Sequence, residues 1–266
     1  MGVLNVTPDS FSDGGRFLSA DQAVGHAIAM LEEGAALIDI GGESTRPGAS
    51  RVTGEEELRR IVPVIEALRA STDAVISVDT SKPEVMRACL AAGADLINDV
   101  RALRLPGALE AVAGTQCGVC LMHMQGEPDT MQRDPTYDDV VAEVKAFLLE
   151  RVAACRAAGI SPERLALDPG IGFGKNLEHN LELVRELPQL TASGLPVMVG
   201  LSRKSFVARL TGRSGERLYG SVALAGIAVL QGAQIVRAHD VAPTLDAVRV
   251  AWALRRGERN GERGRD

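Results

Sequence analysis

Met1-Gly-Val-Leu-Asn-Val-Thr-Pro-Asp-Ser-Phe-Ser-Asp-Gly-Gly15 opens the chain: a short apolar run, 1–6, that empties into a loop rich in hydroxyls, carboxylates and glycine, 5–15. The run reads as a strand. The loop cannot bury itself, because its one large apolar side chain is Phe11 and its polar groups are too many to desolvate. It is also longer than the ~2–6 residues that usually join a strand to a helix, which marks it as functional. Its glycines and small polar residues leave backbone N–H groups available to an anion.

The same unit recurs down the chain. Ala36-Leu-Ile-Asp-Ile40 leads into Gly41-Gly-Glu-Ser-Thr-Arg-Pro-Gly48, and Leu165-Ala-Leu-Asp168 into Pro169-Gly-Ile-Gly-Phe-Gly-Lys175. Further short apolar runs stand at 74–79, 95–100, 118–123, 195–200 and 234–237. Between them, helical spacing predicts segments over 20–34, 53–70, 83–93, 107–114, 137–158, up to 187, from 202, 219–232 and 241–256. Ser19 suits an N-cap, Gly34 a C′ residue, Thr53 with Glu56 a capping box, and Pro83 a first helical turn. Strands apolar on both faces are those of a parallel sheet covered on both sides. Eight strand–helix alternations without a linker predict one (β/α)8 barrel of the TIM type over 1–256, a size that needs ~250 residues. The tail, 257–266, has no apolar residue and is expected to be disordered.

Composition narrows the function. The 266 residues are 45% hydrophobic and 24% charged, ordinary for a globular protein with an ample core. A net charge of −6 argues against a general nucleic-acid surface, so an anion site must come from locally placed cations. No apolar run reaches the ~18 residues of a membrane span. Four cysteines make no disulfide framework, and Cys117 and Cys120, three apart in an expected strand, face opposite ways. The expected setting is the reducing cytoplasm.

In such a barrel the site lies at the C-terminal ends of the strands. Those ends carry Asn5, Asp9, Glu43, Asp79, Asn98, Asp99, His123, Asp168, Lys204, Arg237 and His239. A single polar strand end is commonly a cap or turn residue. Polar groups at all eight ends would each be a desolvated liability in a narrow barrel mouth unless they formed a site. Asp79, Asn98 and Asp168 are acceptors plus one amide, suited to a flat heterocycle with neighbouring N–H and NH2 donors such as an aminopyrimidinone edge. Lys204 offers a donor to a ring carbonyl or nitrogen. Arg237 and His239, with Asn5 and the turn 44–46, form the one cationic, donor-rich corner of an acidic protein, which suits phosphate and a divalent metal.

At these motifs the sequence resembles the dihydropteroate synthases, of the pterin-binding barrel family. The matching stretches are LNVTPDSFSDGG (4–15), GGESTRPGA (41–49), SVDTSKP (77–83), INDV (97–100), LMHM (121–124), DPGIGFGK (168–175), GLSRKSF (200–206) and VRAHDV (236–241). The resemblance implies condensation of 6-hydroxymethyl-7,8-dihydropterin diphosphate with p-aminobenzoate, releasing diphosphate. It places pterin contacts on Asp79, Asn98, Asp168 and Lys204, a Mg2+ ligand on Asn5, and diphosphate contacts on Thr45, Arg237 and His239. The p-aminobenzoate wall then falls on Phe11, Thr45, Arg46, Pro47, Phe173, Lys204 and Ser205. Asp13 becomes a loop carboxylate that positions metal or base, and joins Lys204, Arg237 and His239 as the expected catalytic group. Both glycine-rich loops are expected to order only around diphosphate and metal, creating the amine pocket late. The family is commonly a homodimer through its last helices and is the sulfonamide target. It usually carries a hairpin ahead of strand one that the sequence does not contain. The alternative is a pterin-binding methyltransferase-type module or a non-synthase paralogue. The former has no need of Ser202-Arg-Lys-Ser205 or of Arg237 beside His239. Phe11, Pro47 and Ser205 speak against the latter.

Asp168→Ala should leave pterin N–H groups unpaired in a dry pocket and cost roughly 2–4 kcal/mol of pterin binding. A calorimetric titration showing less than about a tenfold loss would remove Asp168 from that role.

Overall fold

The computed structural model describes residues 1–7, 20–44, 52–127, 130–213 and 215–257. Ser19, Asp9, Phe11, Asp13, Thr45, Arg46, Pro47 and the tail 258–266 lie outside them.

Among the described residues, short apolar runs form eight parallel strands: β1 (Gly2–Asn5), β2 (Leu37–Gly41), β3 (Val75–Asp79), β4 (Leu96–Asp99), β5 (Gly118–Met122), β6 (Leu165–Asp168), β7 (Met198–Gly200) and β8 (Ile235–Arg237). Strands β1 to β6 pair in sequence order, and β7 pairs with β8. Two parallel bridges, Leu167 with Val197 and Gly2 with Ala238, join these two sheets into a ring. At the seam the Val3 N–H donates to the Ala238 carbonyl at 3.0 Å, and the Ala238 N–H to the Met1 carbonyl at 3.0 Å. The (β/α)8 barrel expected from the alternation is therefore closed, and closure removes the unpaired edges of an open sheet.

Around it lie α1 (Ala20–Glu32), α2 (Gly54–Ser71), α3 (Pro83–Ala91), α4 (Ala108–Ala113), α5 (Val140–Ala157), α6 (Leu177–Arg185), α7 (Leu187–Thr191), α8 (Ser205–Thr211), α9 (Leu218–Leu230) and α10 (Val241–Arg256). The period of two along each strand sorts its side chains into two cores. Leu4, Ile38, Ile40, Ile76, Val78 and Ile97 join the helices in one large cluster. Cys120, Ala166 and Met198, with Met1, Leu96 and Ile235 against them, form a separate plug inside the ring. Cys117 and Cys120 fall in different clusters, as opposite faces require, and all four cysteines are free and buried.

Several helix ends follow local chemistry rather than the apolar period. Thr53 caps α2 by accepting from the Glu56 N–H at 3.2 Å, but the Glu56 carboxylate turns to Arg60, 2.8 Å away, and to Arg59 instead of closing the box. Helix α5 starts three residues later than its pattern suggests. The Asp139 carboxylate accepts from the Val141 and Ala142 N–H groups at 3.0 and 2.9 Å and fixes the N-terminus there. The segment expected to run helical to 187 breaks into α6 and α7, with Pro188 in the first turn of the second, where it needs no N–H donor. Helix α8 does not include 202–204, because Arg203 has φ +57°, outside the right-handed helical region.

Ile65 is fully buried on the inner face of α2. Ile65→Ala should cost about 2–5 kcal/mol in urea unfolding. A loss under about 1 kcal/mol would mean that α2 is not packed on the barrel as described.

Candidate active site

The lumen changes character on the way up from the apolar plug. Asn5, Gly41, Asp79 and Asn98 lie in register across β1 to β4, so these side-chain positions share one level of the ring. One register step below, Asp39 on β2 and Ser77 on β3 are adjacent. The Ser77 hydroxyl donates to Asp39 Oδ1 at 2.5 Å and the Asn98 amide to Asp39 Oδ2 at 3.2 Å. From the far side of the ring, Arg237 Nε meets Asp39 Oδ2 at 2.5 Å and Nη2 meets Asp79 Oδ2 at 3.0 Å. One guanidinium thus serves two carboxylates.

Above this network opens a cleft of about 340 Å³, lined in part by Asp79, Asn98, Asp168, Phe173, Lys204 and Arg237. Asp168 is oriented by the Gly170 N–H, which donates to its Oδ1 at 2.7 Å. The Lys204 ammonium sits 4.1 Å from the centre of the Phe173 ring. The cleft therefore brings together all four residues expected to hold a pterin. It also gathers Phe173, from the expected amine wall, and Arg237.

Burial sets the charges. It raises Asp79 to about 7, opposed by Arg237 and reinforced by Asp39. Burial also raises Asp168, against the opposing Gly170 N–H and Lys204. Lys204 is brought down to about 8 by burial and by the cationic Arg237. For Arg237 burial pulls downward, but Asp39 and Asp79 outweigh it and keep the guanidinium firmly charged.

Other expected residues stand elsewhere. Arg237 is not set apart in a cationic corner with His239; its guanidinium is committed to two lumen carboxylates, because burying them without a cation would be costlier. His239 lies beyond β8, with its backbone N–H and ring Nδ1 on the Ser202 hydroxyl at 3.2 and 3.1 Å. Ser205 is exposed at the first turn of α8. Three polar strand ends serve the scaffold. The Asp99 carboxylate accepts from the Arg101 and Leu103 N–H groups and from Ser81. Glu43 pairs with Lys82, and His123 with Lys175. Asp39 and Ser77 were missed in the sequence. The available signal was a carboxylate in the middle of an apolar strand, which has to find a buried partner.

The sequence profile of the pterin-binding enzyme family matches residues 1–239. The chain is 55% identical over 261 residues to the dihydropteroate synthase of Escherichia coli K12, covering 98% of this chain and 93% of that one. The chain belongs to the dihydropteroate synthases of that family. Among solved structures, Yersinia pestis dihydropteroate synthase in complex with a sulfonamide drug superposes with a TM-score of 0.92 at 54% identity, covering 96% of this chain and 93% of that one. The Xanthomonas albilineans enzyme in complex with 7,8-dihydropteroate gives 0.86 at 52% identity, covering 95% and 92%. No helix among the described residues is long and apolar enough to cross a membrane.

The raised carboxyl of Asp79 yields a test in two parts. Between the ordinary 3.8 and about 7 the folded chain holds a proton that the unfolded chain has lost, so Asp79 takes away stability as pH rises through that window. Asp79→Asn should therefore raise Tm at pH 8, by about 2 °C or more for each kcal/mol recovered. In the native protein, pterin affinity should fall about tenfold per unit as pH drops below about 7, where the accepting carboxylate protonates. A lower Tm for Asp79→Asn, or a pterin Kd unchanged between pH 8 and 6, would show that Asp79 stays ionised.

Proposed function

We infer that the cleft seats the pterin ring on Asp79, Asn98, Asp168 and Lys204 and presents its side chain toward the open mouth at β1 and β8. The chain is a transferase of folate biosynthesis, joining 6-hydroxymethyl-7,8-dihydropterin diphosphate to p-aminobenzoate to give 7,8-dihydropteroate and diphosphate. The observation that carries the reading of the site is the convergence of two carboxylates and an amide from β3, β4 and β6 on one cleft, with Lys204 across from them. An aminopyrimidinone edge offers adjacent N–H donors and a carbonyl, and this set answers both.

Arg237 links the two halves of the substrate. While Asp79 is unliganded, the guanidinium is divided between it and Asp39. Pterin N–H groups bonded to Asp79 take over part of that task and leave Arg237 able to turn cationic surface toward the diphosphate, beside His239. Stabilising charge on the leaving group is where such a site gains most of its rate. The pterin ring can release electrons into the departing methylene, so the carbon–oxygen bond to diphosphate breaks in a dissociative, cation-like step. The aromatic amine, a weak base that needs little prior deprotonation, then attacks the methylene carbon and gives up its proton. Its expected contacts are Phe173, Lys204 and Ser205 and, outside the described residues, Phe11, Thr45, Arg46 and Pro47, with Asp13 positioning metal or base.

Mg2+ fits the donor set. Asn5 supplies a hard amide oxygen at the barrel mouth beside Gly41, whose missing side chain leaves the approach open. Among the described residues no group of three His, Cys, Asp or Glu is gathered to hold a metal. One protein oxygen with substrate phosphates and water is the coordination that Mg2+ favours. Bound there, it would neutralise charge on the departing diphosphate.

Two further parts of the reading concern the whole molecule. Self-association as a homodimer is supported by the outer faces of α9 and α10, where Tyr219, Ile227, Leu230, Val250, Trp252 and Leu254 are exposed. Four free cysteines support a reducing, cytoplasmic setting.

Product formation from the two substrates with Mg2+, against a reaction lacking p-aminobenzoate, tests the activity. Asn5→Ala should raise the Mg2+ needed for half-maximal turnover about tenfold or more while leaving pterin affinity unchanged. An unchanged Mg2+ requirement would remove Asn5 from the metal.

A further inference from the structure

Lys175 ends the glycine-rich segment after β6, yet its side chain does not line the cleft. It is only 2% exposed. Its Nζ lies 2.9 Å from the Phe173 carbonyl, 3.0 Å from His123 Nδ1 and 3.5 Å from the His123 carbonyl. Three acceptors match the three N–H groups of the protonated amine, which burial, opposed by Asp168, brings down to about 7. The His123 ring is itself fixed, edge-on to Phe147 at 4.9 Å and tilted against Tyr137 at 6.1 Å. The Tyr137 hydroxyl donates to the Gly174 carbonyl at 2.8 Å.

These contacts press the backbone of 170–175 flat against the end of β5. Gly170 and Gly174 adopt φ +66° and +60°, and a Cβ on either would run into the carbonyl oxygen of His123 or Gln125. Between them the chain turns back, with the Phe173 N–H donating to the Gly170 carbonyl at 3.0 Å. That turn holds the Phe173 ring over Lys204 at the wall of the cleft.

We propose that Lys175 is a positioning residue for the amine half of the reaction, acting through Phe173 by anchoring that residue's carbonyl to His123. The inference rests on the reading above, in which Phe173 contacts p-aminobenzoate. An apolar side chain would fill the same space without desolvating an amine, but it could donate to none of the three acceptors. His123 suits the role of acceptor, since burial and the nearby Lys175 bring it down to about 3 and keep its ring neutral. The groups around Lys175 are Asp168 on β6, Lys204 ahead of α8 and His123 after β5, with Tyr137 ahead of α5.

A double-mutant cycle with K175M and F173L tests this, with steady-state kinetics in each substrate and calorimetric titration of pterin. K175M should raise KM for p-aminobenzoate about tenfold, and in the F173L background it should add nothing, the signature of coupled residues. Pterin Kd should shift by less than KM for p-aminobenzoate, since Lys175 hydrogen-bonds to none of the pterin-side groups and reaches Asp168 only through its charge. Should K175M fail to fold, H123A removes the same anchor from the other end and is held to the same outcomes. Multiplying effects of the two substitutions, or equal losses for pterin and p-aminobenzoate, would overturn the inference. Failure of the native protein to form dihydropteroate would instead overturn the reading of the site.

Discussion

The charge of Arg237, shared between Asp39 and Asp79 inside the ring, is the constraint on which the site depends. Two carboxylates buried at adjacent levels of a narrow barrel repel each other and are desolvated. A single guanidinium offsets only part of that cost, which is why Asp79 stays near neutrality in its protonation while Arg237 stays charged. An inner network of this kind adds little stability compared with apolar packing. Its value is chemical, because it leaves Asp79 poised to accept donors from a ligand at the cleft above. The apolar plug of Cys120, Ala166 and Met198 beneath keeps water from entering on the other side.

Above that level the loops do different kinds of work. Asp99, Glu43 and His123 sit at strand ends like the pterin-side residues, but their side chains turn to backbone N–H groups or to lysines and shape the connections. Asp99 stabilises the turn in which Ala102 and Leu103 take φ of +52° and +56°, a conformation that costs free energy without such support. Arg203 pairs with Asp240 across the β7 and β8 connections at 2.5 Å and so steadies the segment that carries Lys204. The cleft is built by few residues and held by many.

How far the sequence could be read depended on range. The eight alternations, the cap at Thr53 and the first-turn Pro83 were legible because they rest on neighbours within a few residues. The cleft-lining Asp79, Asn98 and Asp168 were legible as a group because a strand end in a closed barrel leaves few places to point. Asp39 was not, since its partner Arg237 lies 198 positions away and the intervening sequence carries no sign of the pairing. The pairing of Arg237 with Asp39 and Asp79 was hidden for the same reason: adjacency along a strand says nothing about which carboxylate waits across the lumen. The late start of α5 was hidden because Tyr137 continues the apolar pattern ahead of the true N-terminus, and the bend at Arg203 because nothing in Ser202-Arg-Lys-Ser205 signals a positive φ.

By itself, then, the sequence determined the number of strands, the closed parallel architecture and the end of the barrel that bears the chemistry. Each follows from periodicity and from the cost of burying polar groups, which act locally. Only the tertiary structure decided which polar strand ends share the cleft and which support loops, that Asp39 completes the charge network, and that Lys175 reaches back to Phe173 and His123. Those outcomes depend on the ring's closure and register, which bring residues from distant strands to one level and set the direction of each side chain.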